Sequence, residues 1–275
     1  MNSKLLISKP IINKIYEDIY QKINKLNYII GLAVILIGNR EDSISYIKMK
    51  QKKCKELGIE SYLFHFNETI TENIIIEKIQ ELNNDNKIHG ILIQLPLPQH
   101  TNGNKIIHSI DYKKDVDGFH FINMGKLTIN SKPLFIPCTP LGCFELLKYY
   151  NIPIKGKHIV IIGSSIVVGL PLSLLLLHNG ATPTLCNINT ENIKLISKTA
   201  DILIVCCGVP KLINNEWIKK DCIIIDIGFN KIDGKIIGDV DFENVIHKVK
   251  YITPVPGGIG PMTIAMLIKN TIKDI

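Results

Sequence analysis

The sequence predicts an α/β protein built from two domains, and three observations support this. The chain has 275 residues, of which 46% are hydrophobic and 21% charged, as in a globular protein large enough for two cores. Short β-rich runs alternate with longer segments of helical periodicity, which is typical of βαβ units on a parallel sheet. A stretch rich in turn residues, 115–140, interrupts this alternation and marks the boundary between the domains.

The elements follow from the hydrophobic periodicity on either side of that boundary. The first half is predicted to hold strands at 29–37, 60–66 and 91–95 and helices near 10–26, 42–57 and 71–84. The second half is predicted to hold a helix at 140–150, strands at 158–162, 182–187, 201–207 and 222–227, and a final helix at 262–272. A second parallel sheet is therefore expected.

Composition argues against several classes of protein. The formal charge is +7, but it comes from scattered lysines, with Arg40 the only arginine, so no nucleic-acid partner is predicted. The seven cysteines include no C-x-x-C pair, which favours reduced thiols in the cytoplasm and argues against disulfides and a zinc site, so no metal is predicted. The start lacks a secretory apolar core, and no apolar run is long enough to cross a bilayer, so no membrane association is predicted.

Lys50 is the first candidate functional residue. Positions 47, 50, 54 and 57 form one helical stripe, and the other three positions are Ile47, Cys54 and Leu57. A lysine on such a stripe, with Tyr46 one turn before it, is expected to lose water and to exchange protons near neutral pH. The alternative is a lysine that extends along the stripe and reaches solvent.

A glycine turn follows the strand at 158–162. The turn runs from Gly163 to Gly169 and leads into an apolar helix. Free N–H groups at a helix start favour a phosphate, so this strand, turn and helix indicate a dinucleotide site. The spacing is Gly-x5-Gly and not G-x-G-x-x-G, and an ordinary βα turn is the alternative.

Three further segments carry candidate binding residues. Gln94 is a polar residue at the carboxyl end of a buried strand, where open α/β sheets bind ligands. Asp117 lies in an Asp-Gly turn, and the loop 253–263 is rich in proline and glycine, so that a ligand can approach its backbone. The alternatives are an edge residue for Gln94, a plain turn for Asp117 and an interdomain hinge for the loop.

Together these segments resemble the bifunctional methylenetetrahydrofolate dehydrogenase/methenyltetrahydrofolate cyclohydrolase family of the FolD type. Six motifs occur in the family's order: Tyr46-x-x-x-Lys50, 90–98, 114–118, 137–140, 163–171 and 254–263. The resemblance implies two α/β domains flanking a cleft. Residues 1–137, completed by the helix at 261–275, would bind folate, and residues 138–260 would form a Rossmann-like dinucleotide domain.

The resemblance also implies an activity and a set of residues. The family oxidises 5,10-methylenetetrahydrofolate to the 5,10-methenyl form with NADP and hydrolyses that product to 10-formyltetrahydrofolate, a one-carbon donor for purine, histidine and methionine biosynthesis. It implies Lys50, Gln94 and Tyr46 as catalytic residues. The substrate-binding residues would be Asp117, Tyr46, Ser43, Pro256, Gly257 and Gly258. A homodimer paired through the dinucleotide domain is implied as well.

The implied coenzyme site departs from the family pattern. Its residues would be Gly163, Ser164, Ser165, Val168, Gly169, Asn187, Thr190, Gly208 and Phe229. Many relatives place an arginine where this chain has Ser164, and that arginine can face the 2′-phosphate of NADP. The acidic residue expected for the ribose of NAD is also missing from the strand end. We assign NADP as the coenzyme, with NAD as the alternative.

Two other functions compete with this interpretation. One is a dehydrogenase that has lost efficient cyclohydrolase activity, which would accumulate the methenyl product. The other is a catalytically silent protein that binds folate or dinucleotide. The presence of both Lys50 and Gln94 argues against each, because neither function needs a residue that transfers protons.

Overall fold

The computed structural model describes residues 4–273, which form two compact units. Among the described residues, the three-stranded unit comprises 14–138 and 267–273, and the five-stranded unit comprises 4–13 and 139–266. The predicted domain ranges also covered residues 1–3 and 274–275, which lie outside the described residues.

The three-stranded unit alternates strands and helices. Its elements are α1 (Lys9–Ile23), β1 (Gly31–Ile37), α2 (Glu41–Glu56), β2 (Glu60–Phe66), α3 (Glu72–Asn84), β3 (Gly90–Ile93), α4 (Gly103–His108) and α5 (Phe121–Thr128). The strands are parallel in the order β2-β1-β3. The central strand β1 is buried along its whole length, as its unbroken apolar sequence predicts.

The five-stranded unit is built in the same way. Its elements are α6 (Cys138–Tyr149), β4 (His158–Ile162), α7 (Gly169–His178), β5 (Thr182–Cys186), α8 (Ile193–Ser197), β6 (Ile202–Val205), β7 (Ile223–Asp226), β8 (Asn230–Ile232), β9 (Lys235–Ile237), α9 (Phe242–Val245), β10 (Tyr251–Ile252) and α10 (Ile259–Thr271). The main sheet is parallel, in the order β10-β7-β6-β4-β5, and β8 and β9 form a separate antiparallel hairpin. The prediction of an α/β protein with a second parallel sheet is confirmed.

The chain's first segment joins the five-stranded unit, which differs from the predicted domain range. The backbone N–H of Leu6 donates to the carbonyl of Ile252 over 2.9 Å, and that of Ser8 donates to Gly257 over 3.0 Å. Two helices are divided between the units, α1 after residue 13 and α10 after residue 266. Hydrophobic periodicity carries no information on backbone hydrogen bonds of this kind, so the sequence pattern could not predict them.

Local structure departs from the sequence predictions at several places. The elements that were not predicted are the helices α4, α5, α8 and α9 and the strands β8, β9 and β10, and α5 lies inside the stretch interpreted as turns. The prediction that Cys206 and Cys207 lie within a buried strand is wrong, because β6 ends at Val205 and both cysteines are half-buried. All seven cysteines are free thiols.

Among residues 4–273, no helix is both long enough and apolar enough to cross a bilayer. Within the same residues, no group of three or more His, Cys, Asp or Glu side chains is arranged to hold a metal ion.

Asn270 on α10 anchors the three-stranded unit. Its buried amide donates to the carbonyls of Val116 over 2.8 Å and Ile136 over 3.2 Å. We expect Asn270→Ala to lower the free energy of unfolding by about 1–3 kcal/mol, because buried acceptors are left unpaired. Urea unfolding measures this change. Asn84→Ala, which removes an exposed amide bonded to Gln80, is the control and should change stability by less than about 0.5 kcal/mol. Equal losses would contradict the anchoring role.

Candidate active site

Lys50 lies on the buried face of α2, as the stripe predicted. It is 5% exposed, and Ile47, Cys54 and Leu57 are buried beside it. Its Nζ donates to Oε1 of Gln94 over 3.1 Å and lies 5.3 Å from the centre of the Tyr46 ring. The structure therefore brings together the three residues predicted to be catalytic, and the alternative of a lysine that reaches solvent is wrong.

Gln94 is fixed at the end of β3. Its backbone N–H donates to the carbonyl of Ile35 over 2.9 Å, which continues the ladder between β1 and β3. Its Nε2 donates to the carbonyl of Leu95 over 3.0 Å. Because an ammonium can only donate, the amide must present Oε1 to Lys50, and the bond to Leu95 fixes that orientation.

Asp117 and Lys50 interact electrostatically. Burial lowers the pKa of Lys50, and the charge of Asp117 offsets part of that effect. Burial likewise raises the pKa of Asp117, while Lys50 and a hydrogen bond from the Cys138 thiol act in the opposite direction. Both groups are thus shifted toward their neutral forms, as expected of a proton-exchanging site.

The turn that carries Asp117 is held by its neighbours. The Nζ of Lys114 donates to the carbonyls of residues 82, 83 and 85 at the end of α3. The carboxylate of Asp115 accepts the N–H groups of Phe119 and His120 over 3.2 and 2.8 Å. These contacts fix both sides of Asp117. The carboxylate of Asp117 itself accepts the Cys138 thiol and interacts with Lys50.

Sequence reasoning assigned no role to Cys138. The thiol is buried, donates to the carbonyl of Val116 over 3.3 Å and contacts the Asp117 carboxylate. Burial raises the pKa of this thiol well above its usual value, so it remains a neutral donor. A cysteine next to the proline at 137 was the available signal, but its contact with Asp117 spans 21 positions of the chain.

The other residues predicted to bind the substrate lie on α2 and in the loop before α10. Ser43 is buried on the same face of α2 as Lys50. The loop with Pro256, Gly257 and Gly258 belongs to the five-stranded unit. Gly257 has a φ of +109°, and a Cβ on Gly258 would lie 2.6 Å from the carbonyl oxygen of Pro254, so the loop requires both glycines.

The glycine turn of the five-stranded unit lies at the carboxyl edge of its sheet. Gly163 directly follows β4, and Gly169 begins α7. A Cβ on Gly169 would lie 1.8 Å from the carbonyl oxygen of Gly163, and one on Gly163 would lie 2.3 Å from that of Cys206. The backbone is therefore packed too closely for side chains, as in a turn that cradles a phosphate.

The remaining residues of the predicted coenzyme site also follow strands of this sheet or lie in the glycine turn. Ser165 accepts the N–H of Val168 through its Oγ over 3.3 Å, and Ser164 precedes it. After β5, the Oγ1 of Thr190 accepts the N–H of Asn187 over 2.8 Å.

Gly208 and Phe229 are both exposed and lie after β6 and β7. In parallel strands these ends share one edge of the sheet, so the residues predicted to bind the coenzyme lie along a single edge. Their contact with a coenzyme stays a prediction.

Comparison with known proteins assigns both units. Residues 6–117 match the model of the tetrahydrofolate dehydrogenase/cyclohydrolase catalytic domain, and residues 137–275 match that of the NAD(P)-binding domain of the same enzymes. The chain belongs to the tetrahydrofolate dehydrogenase/cyclohydrolase family. Its similarity to the bifunctional protein FolD of Campylobacter jejuni is 48% identity over 98% of this chain and 97% of the relative.

Solved structures of the family have the same fold. The crystal structure of the bifunctional enzyme FolD from Campylobacter jejuni matches with a TM-score of 0.95 and 48% identity, covering 98% of this chain and 97% of that one. The Trypanosoma brucei enzyme, complexed with NADP and an inhibitor, matches with a TM-score of 0.93 and 31% identity, covering 98% and 96%. The predicted family is confirmed.

The close packing in the glycine turn leads to a prediction. Gly169→Ala should displace the turn, because its Cβ would overlap the carbonyl of Gly163, and we expect at least a tenfold loss of dinucleotide affinity in isothermal titration calorimetry. Gly125→Ala is the control, since no atom lies within 4 Å of a Cβ at that helical position. Unchanged affinity in Gly169→Ala would show that the turn does not hold the dinucleotide.

Proposed function

We propose that this protein oxidises 5,10-methylenetetrahydrofolate with NADP and hydrolyses the resulting 5,10-methenyl form to 10-formyltetrahydrofolate. The observation that supports this best is the buried Lys50, bonded to Gln94 and coupled to Asp117. A protein that only binds ligands has no need to desolvate a lysine in this way. Family membership over nearly the whole chain supports the same activity.

The oxidation step depends mainly on how the substrate and NADP are positioned. It needs no side chain to take part in the reaction. When bound, NADP supplies the acceptor for the hydride, and the protein must hold the methylene carbon within near-attack distance of it. The glycine turn fits such a group, because positions 163 and 169 keep the cradle free of side chains. The carboxylate of Asp117 is suited to accept hydrogen bonds from the amino and ring N–H groups of the pterin and so to orient the ring.

The hydrolysis step requires proton transfers, which we assign to Lys50. In its neutral form the amine takes a proton from the water that attacks the methenyl carbon. The ammonium then gives this proton to the departing ring nitrogen as the C–N bond breaks, and the formyl oxygen releases the remaining proton to solvent. Gln94 holds the amine in place, and Tyr46 packs beside the pterin.

Several properties of the whole protein belong to the same proposal. We infer a homodimer paired through the five-stranded unit, whose edge strand β5 is partly exposed along most of its length. The seven free thiols are consistent with a cytoplasmic enzyme. The product would supply one-carbon units to purine, histidine and methionine biosynthesis.

An absorbance assay tests both activities at once. Purified protein should convert methylenetetrahydrofolate and NADP to NADPH without accumulating the methenyl product. Lys50→Met should still oxidise the substrate but accumulate that product, because hydrolysis without its proton-transfer group slows by about 10²–10⁴-fold. Lys52→Met, which removes an exposed lysine from the same helix, is the control. Full hydrolysis by Lys50→Met would exclude Lys50 from this role.

Coenzyme preference can be tested at Ser164. The residues assigned to the 2′-phosphate, Ser164 and Asn187, offer neutral donors, so preference for NADP over NAD should be shallow. Ser164→Arg should raise the ratio of kcat/KM for NADP over NAD by roughly tenfold to a hundredfold, the value of a charge-assisted hydrogen bond. Thr182→Arg adds the same charge at the opposite end of β5 and should leave the ratio unchanged. A thousandfold preference in the unmodified protein would show that another cation binds the phosphate.

A further inference from the structure

Asp239 is a completely buried carboxylate that the sequence analysis did not single out. One oxygen, Oδ2, accepts the backbone N–H groups of Cys207 over 2.8 Å and Gly208 over 2.9 Å. The other, Oδ1, accepts the side-chain amide of Asn230 over 2.8 Å. Within residues 4–273, no lysine or arginine forms an ion pair with it. The thiol of Cys207 also donates to Oδ2, over 3.4 Å. A buried carboxylate that accepts this many hydrogen bonds fixes its donors firmly.

The groups fixed by Asp239 belong to the edge that carries the predicted coenzyme residues. Gly208 is one of these residues, and Asn230 directly follows another, Phe229. Cys206, two positions before Gly208, packs against the glycine turn: its thiol donates to the carbonyl of Gly163 over 3.4 Å. Asp239 thus joins the segments that follow β6 and β7, and Cys206 links the first of them to the turn after β4.

A second carboxylate holds Asp239 itself in place. Asp226, at the end of β7, accepts the backbone N–H groups of Asp239 and Val240, each over 3.0 Å. Two glycines allow this approach, because a Cβ on Gly228 would lie 2.4 Å from Oδ1 of Asp239 and one on Gly238 would lie 1.9 Å from Oδ2 of Asp226. The two carboxylates can therefore lie this close to the backbone only because positions 228 and 238 carry no side chain.

We propose that Asp239 is a positioning residue of the dinucleotide site, an inference that rests on the proposed function. Its carboxylate sets the conformation of the segments at Gly208 and Phe229, and through Cys206 it supports the turn at Gly163. Removing its charge loosens this edge and weakens dinucleotide binding. The cyclohydrolase reaction consumes no dinucleotide and uses Lys50 in the other unit, so it is retained.

The test compares two carboxylates of the same unit. Asp239→Asn keeps the shape of the side chain but removes its charge and one acceptor, and we expect the Kd for NADP in calorimetry to rise at least tenfold. Asp201→Asn is the matched control: Asp201 accepts the N–H of His158 over 3.0 Å at the amino end of β4 and pairs with Lys219. Its Kd for NADP should stay within twofold of the unmodified value.

Hydrolysis of methenyltetrahydrofolate without dinucleotide separates positioning from general loss of structure. Asp239→Asn should hydrolyse it within twofold of the unmodified rate while its KM for NADP rises. Equal loss of both activities, or an unchanged Kd, would overturn the inference. If Asp239→Asn does not fold, Asn230→Leu removes one arm of the network, and NADP affinity unchanged in that variant also overturns it.

The same experiment also tests the proposed function, with a different outcome. If the unmodified protein binds neither NADP nor NAD, the function is wrong whatever the variants do.

Discussion

The burial of the Lys50 ammonium constrains the rest of the three-stranded unit. A charged amine removed from water is costly unless partners surround it, and those partners come from two other segments, at Gln94 and Asp117. The segments can meet because β3 begins with Gly90, where a Cβ would lie 2.5 Å from a methyl group of Val116. The N–H of Ile91 then donates to the carbonyl of Lys114 over 2.7 Å. The approach of the segment at Asp117 to β3 therefore depends on the absence of a side chain at position 90.

The five-stranded unit places glycines and backbone N–H groups along the edge that carries the predicted coenzyme residues. Its edge is made of N–H groups and glycines, with buried carboxylates behind them. A backbone N–H group is present whichever side chain occupies the position. The direction in which it points is therefore set by the residues that hold the turn. Negative charge placed behind the turns fixes their N–H groups without occupying the ligand's space.

Much of this structure could be predicted from the sequence, for identifiable reasons. The burial of Lys50 could be predicted because residues on one face of a helix recur every 3.6 positions. The turn at Gly163 could be predicted because it joins a strand to a helix. Helix α5 was missed because Asp117-Gly118 and the prolines on its far side indicate turns, although eight residues between them are helical. Helix and turn propensities depend on neighbouring residues only. They do not include the hydrogen bonds by which Asp115 holds the residues just before this helix.

Contacts between distant positions were the other source of error. Asp239 bonds Gly208 across 31 positions, and residues 6 and 252 pair across nearly the whole chain. Such bonds follow no period in a single sequence. The four residues Gly238-Asp239-Val240-Asp241 resemble an ordinary acidic turn, and only the structure shows that Asp239 contacts the segment after β6.

The seven free thiols have a consequence for how this protein tolerates oxidants. Burial raises the pKa of every one of them: Cys54, Cys138, Cys143, Cys186, Cys206, Cys207 and Cys222. Peroxides and alkylating agents attack the thiolate, and at neutral pH these cysteines hardly form it. We therefore expect this chain, despite its many cysteines, to react slowly with oxidants and alkylating agents for as long as it stays folded.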